Sequence, residues 1–185
     1  MGRGVTISAA SPSDAALLHA LTQQAWQGTV APDSSAFRET PATLDAIFAS
    51  GGGALLLRVD GEPAGSVRWL PVQHPLPTRE VKRLGVLPAL RGLGLARRLM
   101  NALLADAARA GVRRVQLGVR ADQPRLIAFY QRHGFGLDTA VALSSINPLT
   151  AAPVTMSLRL GRPEAAGAGA RPSGLPSSHR ADTER

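Results

Sequence analysis

The stretch Val81–Ala96, VKRLGVLPALRGLGLA, constrains this chain more than any other part of it. It reads as a strand that enters a short turn and, through Arg91-Gly92-Leu93-Gly94-Leu95-Ala96, opens a long amphipathic helix over 93–110. Ala96, Leu99, Leu103 and Ala107 share one face of that helix, and Gly111 ends it. Val115, Leu117 and Val119 then alternate with Arg114, Gln116 and Gly118, the period of a strand. A strand–helix–strand unit therefore occupies 79–119. Around it the patterns predict a strand at 5–7 and helices over 12–27 and 41–50. A hairpin of strands 54–59 and 64–70 turns at Asp60-Gly61, and 71–77 is a loop. A helix over 123–133 and two final strands near 135–144 and 153–160 complete an α+β order with a mixed central sheet.

The strand at 79–87 carries an irregularity. Val81 has odd parity, whereas Leu84 and Val86 have even parity. A strand with one buried face keeps one parity, so the switch predicts a bulge between them.

Residues 3–160 are enough for one folded domain. In 161–185, 15 of the 25 residues are Gly, Ala, Pro or Ser, and Leu175 is the one large apolar side chain, which predicts a disordered tail. The chain has no cysteine, which excludes disulfides, thiol catalysis and thiolate metal sites. Its four histidines are scattered without ligand spacing, so no metal is expected. No apolar run approaches a membrane span and the N-terminus lacks a signal pattern, so a soluble cytoplasmic protein is expected.

The net charge of +8 is unevenly spread. Residues 79–132 hold eleven Arg, one Lys and three acids, a net +9, while 1–78 are slightly acidic at −2. Such a segment suits nucleic acid, a small polyphosphate ligand, or a solvated surface. A nucleic-acid module interleaves aromatics with its cations, and here 79–132 offer only Phe129 and Tyr130. The glycine loop fits the polyphosphate reading, because small residues let backbone N–H groups surround an anion at the positive end of a helix dipole. The alternative is a tight turn whose glycines only relieve crowding. No Lys-Ser or Lys-Thr follows the glycines as a P-loop requires. Arg97 stands where a dinucleotide fold needs its third glycine.

Arg91-x-x-Gly94-x-Ala96 matches the (Gln/Arg)-x-x-Gly-x-(Gly/Ala) acyl-CoA signature of the GNAT superfamily of N-acyltransferases, which the chain resembles over nearly all of 3–160. Arg83-Leu84-Gly85-Val86-Leu87-Pro88 resembles that family's fourth strand and the loop after it. Ala128–Phe135, AFYQRHGF, resembles its second motif. The resemblance implies a mostly antiparallel sheet flanked by helices, with a bulged fourth strand splayed from the fifth. It implies transfer of an acetyl group from acetyl-CoA to a primary amine of a small molecule or protein, by direct attack in a ternary complex. A non-catalytic acyl-CoA sensor and a basic nucleic-acid-binding module are the alternatives.

The resemblance also implies site residues. Arg91, Gly92, Leu93, Gly94, Leu95, Ala96 and Arg97 hold the cofactor phosphates, with Arg132 nearby. Leu84 and Val86 offer main-chain groups to thioester and pantetheine, and Gln123 stands where many members carry an asparagine on the pantetheine arm. Tyr130, the one tyrosine of the chain, occupies the position that protonates the leaving thiolate, a task suited to a phenol with pKa near 10. Glu80 is the candidate general base, acting through water, with His74 a second candidate. Trp26–Phe37 and Val72–Thr78 would shape the acceptor pocket, and the acidic N-terminal half suits a cationic amine. Trp26 itself is expected in the core. Pairing of two copies through the C-terminal strands is a further expectation from the family.

Overall fold

The computed structural model describes residues 4–28, 30 and 34–161. Of the tail at 161–185, all but Gly161 lies outside the described residues. The strands are β1 (Val5–Ala9), β2 (Gly53–Val59), β3 (Glu62–Val72), β4 (Thr78–Val86), β5 (Arg114–Val119), β6 (Gly136–Leu137) and β7 (Val154–Arg159). They form one sheet in the order β1-β2-β3-β4-β5-β7-β6. Every pairing is antiparallel except β4 with β5. The helices are α1 (Ala15–Trp26), α2 (Pro41–Ala49), α3 (Leu95–Arg109) and α4 (Pro124–Gln131).

Ala54-Leu55-Leu56-Leu57 shows no alternation in sequence because β2 is buried on both faces. Ala54 and Leu56 pack with Leu18, Leu21 and Leu44 of α1 and α2. Leu55 and Leu57 belong to the larger core with Leu99, Met100 and Leu103 of α3 and with Val115, Leu117 and Met156. The hairpin turns at Asp60-Gly61 with φ of 51° and 88°, both left-handed, as a two-residue turn between twisted strands requires.

The bulge in β4 is present. Ser66 faces Gly85 while Arg68 faces Lys82, so Arg83 and Leu84 together oppose Val67, and Arg83 sits at φ 52°. β4 also parts from β5. Their parallel pairing covers Thr78–Glu80 against Arg114–Gln116 and goes no further. From Val81 on, the edge of β4 that faces β5 has no ladder partner, while its other edge stays on β3 through Val86.

The C-terminal part departs from expectation. Instead of a strand over 135–144, β6 ends at Leu137. Asp138 turns the chain: its Oδ1 accepts from the Ala140 N–H, and its Oδ2 accepts from Ser157 Oγ and from Arg114. A side chain that satisfies the local backbone in this way competes with the ladder. Residues 138–153 therefore run as an irregular segment, which becomes a wall of the site.

Gly65 holds β3 close to the bulged part of β4. A Cβ there would lie 2.6 Å from the Gly85 carbonyl oxygen and 3.2 Å from Val86 Cα. Gly65→Ala is expected to cost about 1–3 kcal/mol, seen as a lower urea midpoint with an unchanged m-value.

Candidate active site

The diverging strands leave two confluent cavities. The first, of about 740 Å³, lies at the start of α3 and is lined by Gly92, Gly94, Leu95, Arg97, Arg132 and His133 among others. Gly92 and Gly94 adopt φ of 81° and 73°. A Cβ on either would meet nothing within 4 Å. Crowding is therefore not why these residues are glycines. They supply a left-handed path that lays the loop backbone along the cavity and starts α3 at its edge, where the first N–H groups have no helical acceptor. A side chain would project into the open space where an anion fits.

The loop residues divide by role. Leu95 is buried beneath the cradle and Ala96 is shared by both cavities. Arg91 borders both cavities, but its guanidinium donates to the Ala25 carbonyl at the end of α1, so it ties that helix to the loop. Leu93, 53% exposed, lines neither cavity, which leaves only its main chain for a ligand.

The second cavity, of about 750 Å³, fills the gap between β4 and β5 and shares Val86, Arg91, Ala96 and Phe129 with the first. Leu84, Val86, Gln123, Tyr130 and Glu80 all line it, so the structure brings the sequence-derived candidates together. Tyr130 is half-buried, its ring held edge-on by Phe129 at 5.2 Å and Phe135 at 5.8 Å between centroids. Its hydroxyl makes no hydrogen bond to any described residue, and burial pushes its pKa up to about 12.

Glu80 stands where the strands part, paired with Gln116 in the last rung of the β4–β5 ladder. It is 1% exposed. Oε1 accepts from Lys82 Nζ at 2.6 Å and Ser144 Oγ at 3.0 Å. Oε2 accepts from the Ser144 N–H at 2.8 Å and Gln116 Nε2 at 3.4 Å. The carboxylate's acceptor positions are thus filled.

Trp26, Val30, Ser34 and Ser35 of the 26–37 stretch expected to shape the acceptor pocket line this cavity, and residues that the sequence did not mark complete it. Leu143, Ser145, Ile146 and Asn147 form one side, Ser34, Ser35 and Arg38 the other, and Arg38 donates to Asn147 Oδ1 at 2.8 Å across it. Trp26 lines this cavity rather than the core, with the Arg83 guanidinium 5.5 Å from its ring centre. Val72–Thr78 do not border it. His74 instead lies against Arg114, 2.9 Å from its guanidinium, so it is no candidate base. The acidic half contributes no described carboxylate to the wall: Asp14 caps the turn before α1, Asp60 takes the Gly4 N–H, and Glu39 lies behind Arg83. Among the described residues Glu80 is the lone carboxylate lining the cavity. No cluster of metal-ligating side chains occurs among them, and no helix is long and apolar enough to cross a membrane.

Comparisons with known proteins agree with this geometry. The chain is 36% identical over 81 residues to a mycothiol acetyltransferase of Geodermatophilus obscurus; the match covers 41% of this chain and spans about a quarter, 26%, of that protein. The fold matches the ribosomal-protein-S18-alanine N-acetyltransferase of Escherichia coli, with a TM-score of 0.68 at 20% identity over 88% of this chain and 98% of that one. It also matches the PaiA N-acetyltransferase of Thermoplasma acidophilum, solved with coenzyme A, with a TM-score of 0.68 at 15% identity over 85% of this chain and 99% of that one. The model of the acetyltransferase (GNAT) family matches residues 18–135, most of the described domain, and the chain belongs to that family.

Proposed function

We propose that this protein transfers an acetyl group from acetyl-CoA to a primary amine, by direct attack of the amine within a ternary complex. One observation carries the reading: two adjoining cavities that share Val86, Arg91, Ala96 and Phe129 extend from the glycine cradle at the start of α3 into the gap between β4 and β5, where Tyr130 lines the wall. A bound acetyl-CoA supplies an activated thioester, and the residues present suit it. The left-handed glycines and the first turn of α3 take the pyrophosphate, with Arg97 and Arg132 at the rim. The unpaired edge of β4 around Leu84 and Val86 offers main-chain groups to the thioester arm, and Gln123 lies beside the same cavity. No enzyme nucleophile is needed.

Tyr130 holds the proton for the leaving sulfur. Its raised pKa keeps Oη protonated at neutral pH, and with no hydrogen-bond partner among the described residues Oη is available to donate. Glu80 serves differently from a direct base. With four donors on two oxygens it has no lone pair left for an ammonium proton, so it fixes Lys82 and the Ser144 backbone. The ammonium proton then leaves to solvent through the open cavity.

The reading is tested first by calorimetry. Acetyl-CoA is expected to bind saturably, and Arg97→Glu combined with Arg132→Glu to weaken it at least tenfold; absence of binding by folded wild-type protein overturns the assignment. Tyr130→Phe should lower kcat about 10²-fold with the acetyl-CoA affinity unchanged. Because the chain has a single tyrosine, tyrosinate absorbance reads Tyr130 alone, with an expected midpoint near 12 in the folded protein and about 10 after denaturation. The sign follows: the raised folded pKa leaves this contribution to stability intact below pH 10 and removes it as pH climbs toward 12. For Glu80→Gln, a positioning role predicts a higher KM for the amine with the pH profile of kcat/KM unchanged in shape. Loss of the acidic limb would instead restore Glu80 as the base.

A further inference from the structure

We infer that the acceptor carries a carboxylate beside its amine, and that Arg83 is the residue that reads it. The inference rests on the acetyltransferase assignment of the same cavity and narrows its substrate class. It starts from the imbalance of charge on the acceptor side of the gap. Lys82 and Arg83 line that side, and among the described residues Glu80 is the lone carboxylate that lines the cavity with them, already occupied by four donors. A polycation entering here would meet no open anion among the described residues.

Behind the wall the imbalance is built in. Glu39 accepts from the Arg83 Nε at 2.9 Å through Oε1 and from Arg68 through Oε2, so one carboxylate serves two guanidinium groups. Arg68 is 2% exposed, bonded otherwise to Thr22 Oγ1, and its Nε and Nη1 have no partner. A surplus positive charge in so dry a place is costly unless an anion comes near it. Arg83 is the member of this cluster that reaches the cavity. Its backbone occupies the left-handed region at φ 52°, unusual for a residue with a side chain, which turns it out of the β4 ladder at the bulge. Nε is held by Glu39 and Nη2 by Ser35 Oγ at 3.0 Å, so the guanidinium is fixed in place. Nη1 has no bond to a described residue. A carboxylate docking there would neutralise the surplus and find Lys82 lining the same cavity, with Ser145 Oγ 3.2 Å from its Nζ. Its amine, on the same molecule, would then reach toward the Glu80 end of the gap.

The test measures binding separately from turnover. Wild-type protein saturated with coenzyme A is titrated with ω-amino acids of two to six carbons, with alkylamines of matched length and with the corresponding diamines; in parallel, acetylation of each is followed with acetyl-CoA. The ω-amino acids are expected to bind at least tenfold more tightly than either other series. Arg83→Met should abolish that preference without changing the affinity for coenzyme A, and Arg83→Lys, which keeps the charge, should retain most of it. If Arg83→Met fails to fold, the wild-type preference and Arg83→Lys decide. Alkylamines or diamines that bind as tightly as the amino acids overturn the inference, whether or not they are acetylated. A binding preference that needs Arg83 but is followed by no acetylation leaves the inference standing and overturns the transferase assignment instead.

Discussion

The parting of β4 from β5 is the constraint on which the rest of the molecule depends. Each strand is committed elsewhere: β4 stays on β3 through Val86, and β5 pairs with β7 through Val119. Two neighbours pulled toward opposite partners can remain parallel only while their paths coincide, and they coincide for three rungs. The bulge at Arg83 and Leu84 adds a residue to β4 just beyond the last rung, where the strand has to bend. An open ladder inside a sheet is normally expensive, because buried N–H and C=O groups need partners. Here that edge faces a cavity, so solvent or a ligand can satisfy it. The core closes beneath the gap through Val81, Leu117 and Met156, and the site rests on rigid elements.

Two carboxylates, Glu80 buried and Glu39 half-buried, attach the irregular parts of the chain to this bent strand. Glu80 draws together Lys82 of its own strand, Gln116 of β5 and Ser144 of the segment after β6. Glu39 joins Arg83 at the bulge to Arg68 on β3. A charge removed from water requires such a set of partners, and the partners in turn fix the segments that carry them. The segments around 34–39 and 142–147, which have no strand of their own in the sheet, are thereby held as opposite walls of one chamber. That both anchors lie within four residues of each other's contacts on β4 couples the shape of the acceptor chamber to the bend that creates the thioester channel.

How much of this was legible depended on whether the signal was local. The hairpin followed from Asp60-Gly61, and the bulge from the parity change between Val81 and Leu84, because a pleated strand has a period of two residues. The cradle and Tyr130 were found because a short motif and its resemblance carry them. Of the acceptor walls only the 26–37 stretch was legible, through the resemblance. Ser144 meets Glu80 across 64 residues of chain, and Asn147 meets Arg38 across 109. Neither serine nor asparagine has a pattern that announces such a partner. The strand expected over 135–144 fails at Asp138 because a carboxylate that satisfies its own backbone and Arg114 outweighs a weak alternation. Glu80, set between Arg79 and Lys82, has the local pattern of a solvated strand position; only the fold shows it 1% exposed.

The basic segment shows why charge counted along a sequence is a poor guide to partners. Five cations of 79–132 are paired with acids within the protein, three of them with the acids already counted in the segment's net charge: Arg79 with Asp106, Lys82 with Glu80, Arg83 with Glu39, Arg114 with Asp138 and Arg120 with Asp122. Two of those acids, Glu39 and Asp138, lie outside the segment, so a charge that looks concentrated in one dimension is spread through three. Arg97 and Arg132, by contrast, meet no acid among the described residues and stand at the rim of the cradle. A nucleic-acid duplex or strand calls for a continuous basic stripe with stacking rings. Around the start of α3 those two arginines form a short positive rim at a helix N-terminus, an environment that suits an anion. The arginine-rich segment thus closes part of the fold through its ion pairs and leaves Arg97 and Arg132 lining the cavity at the start of α3.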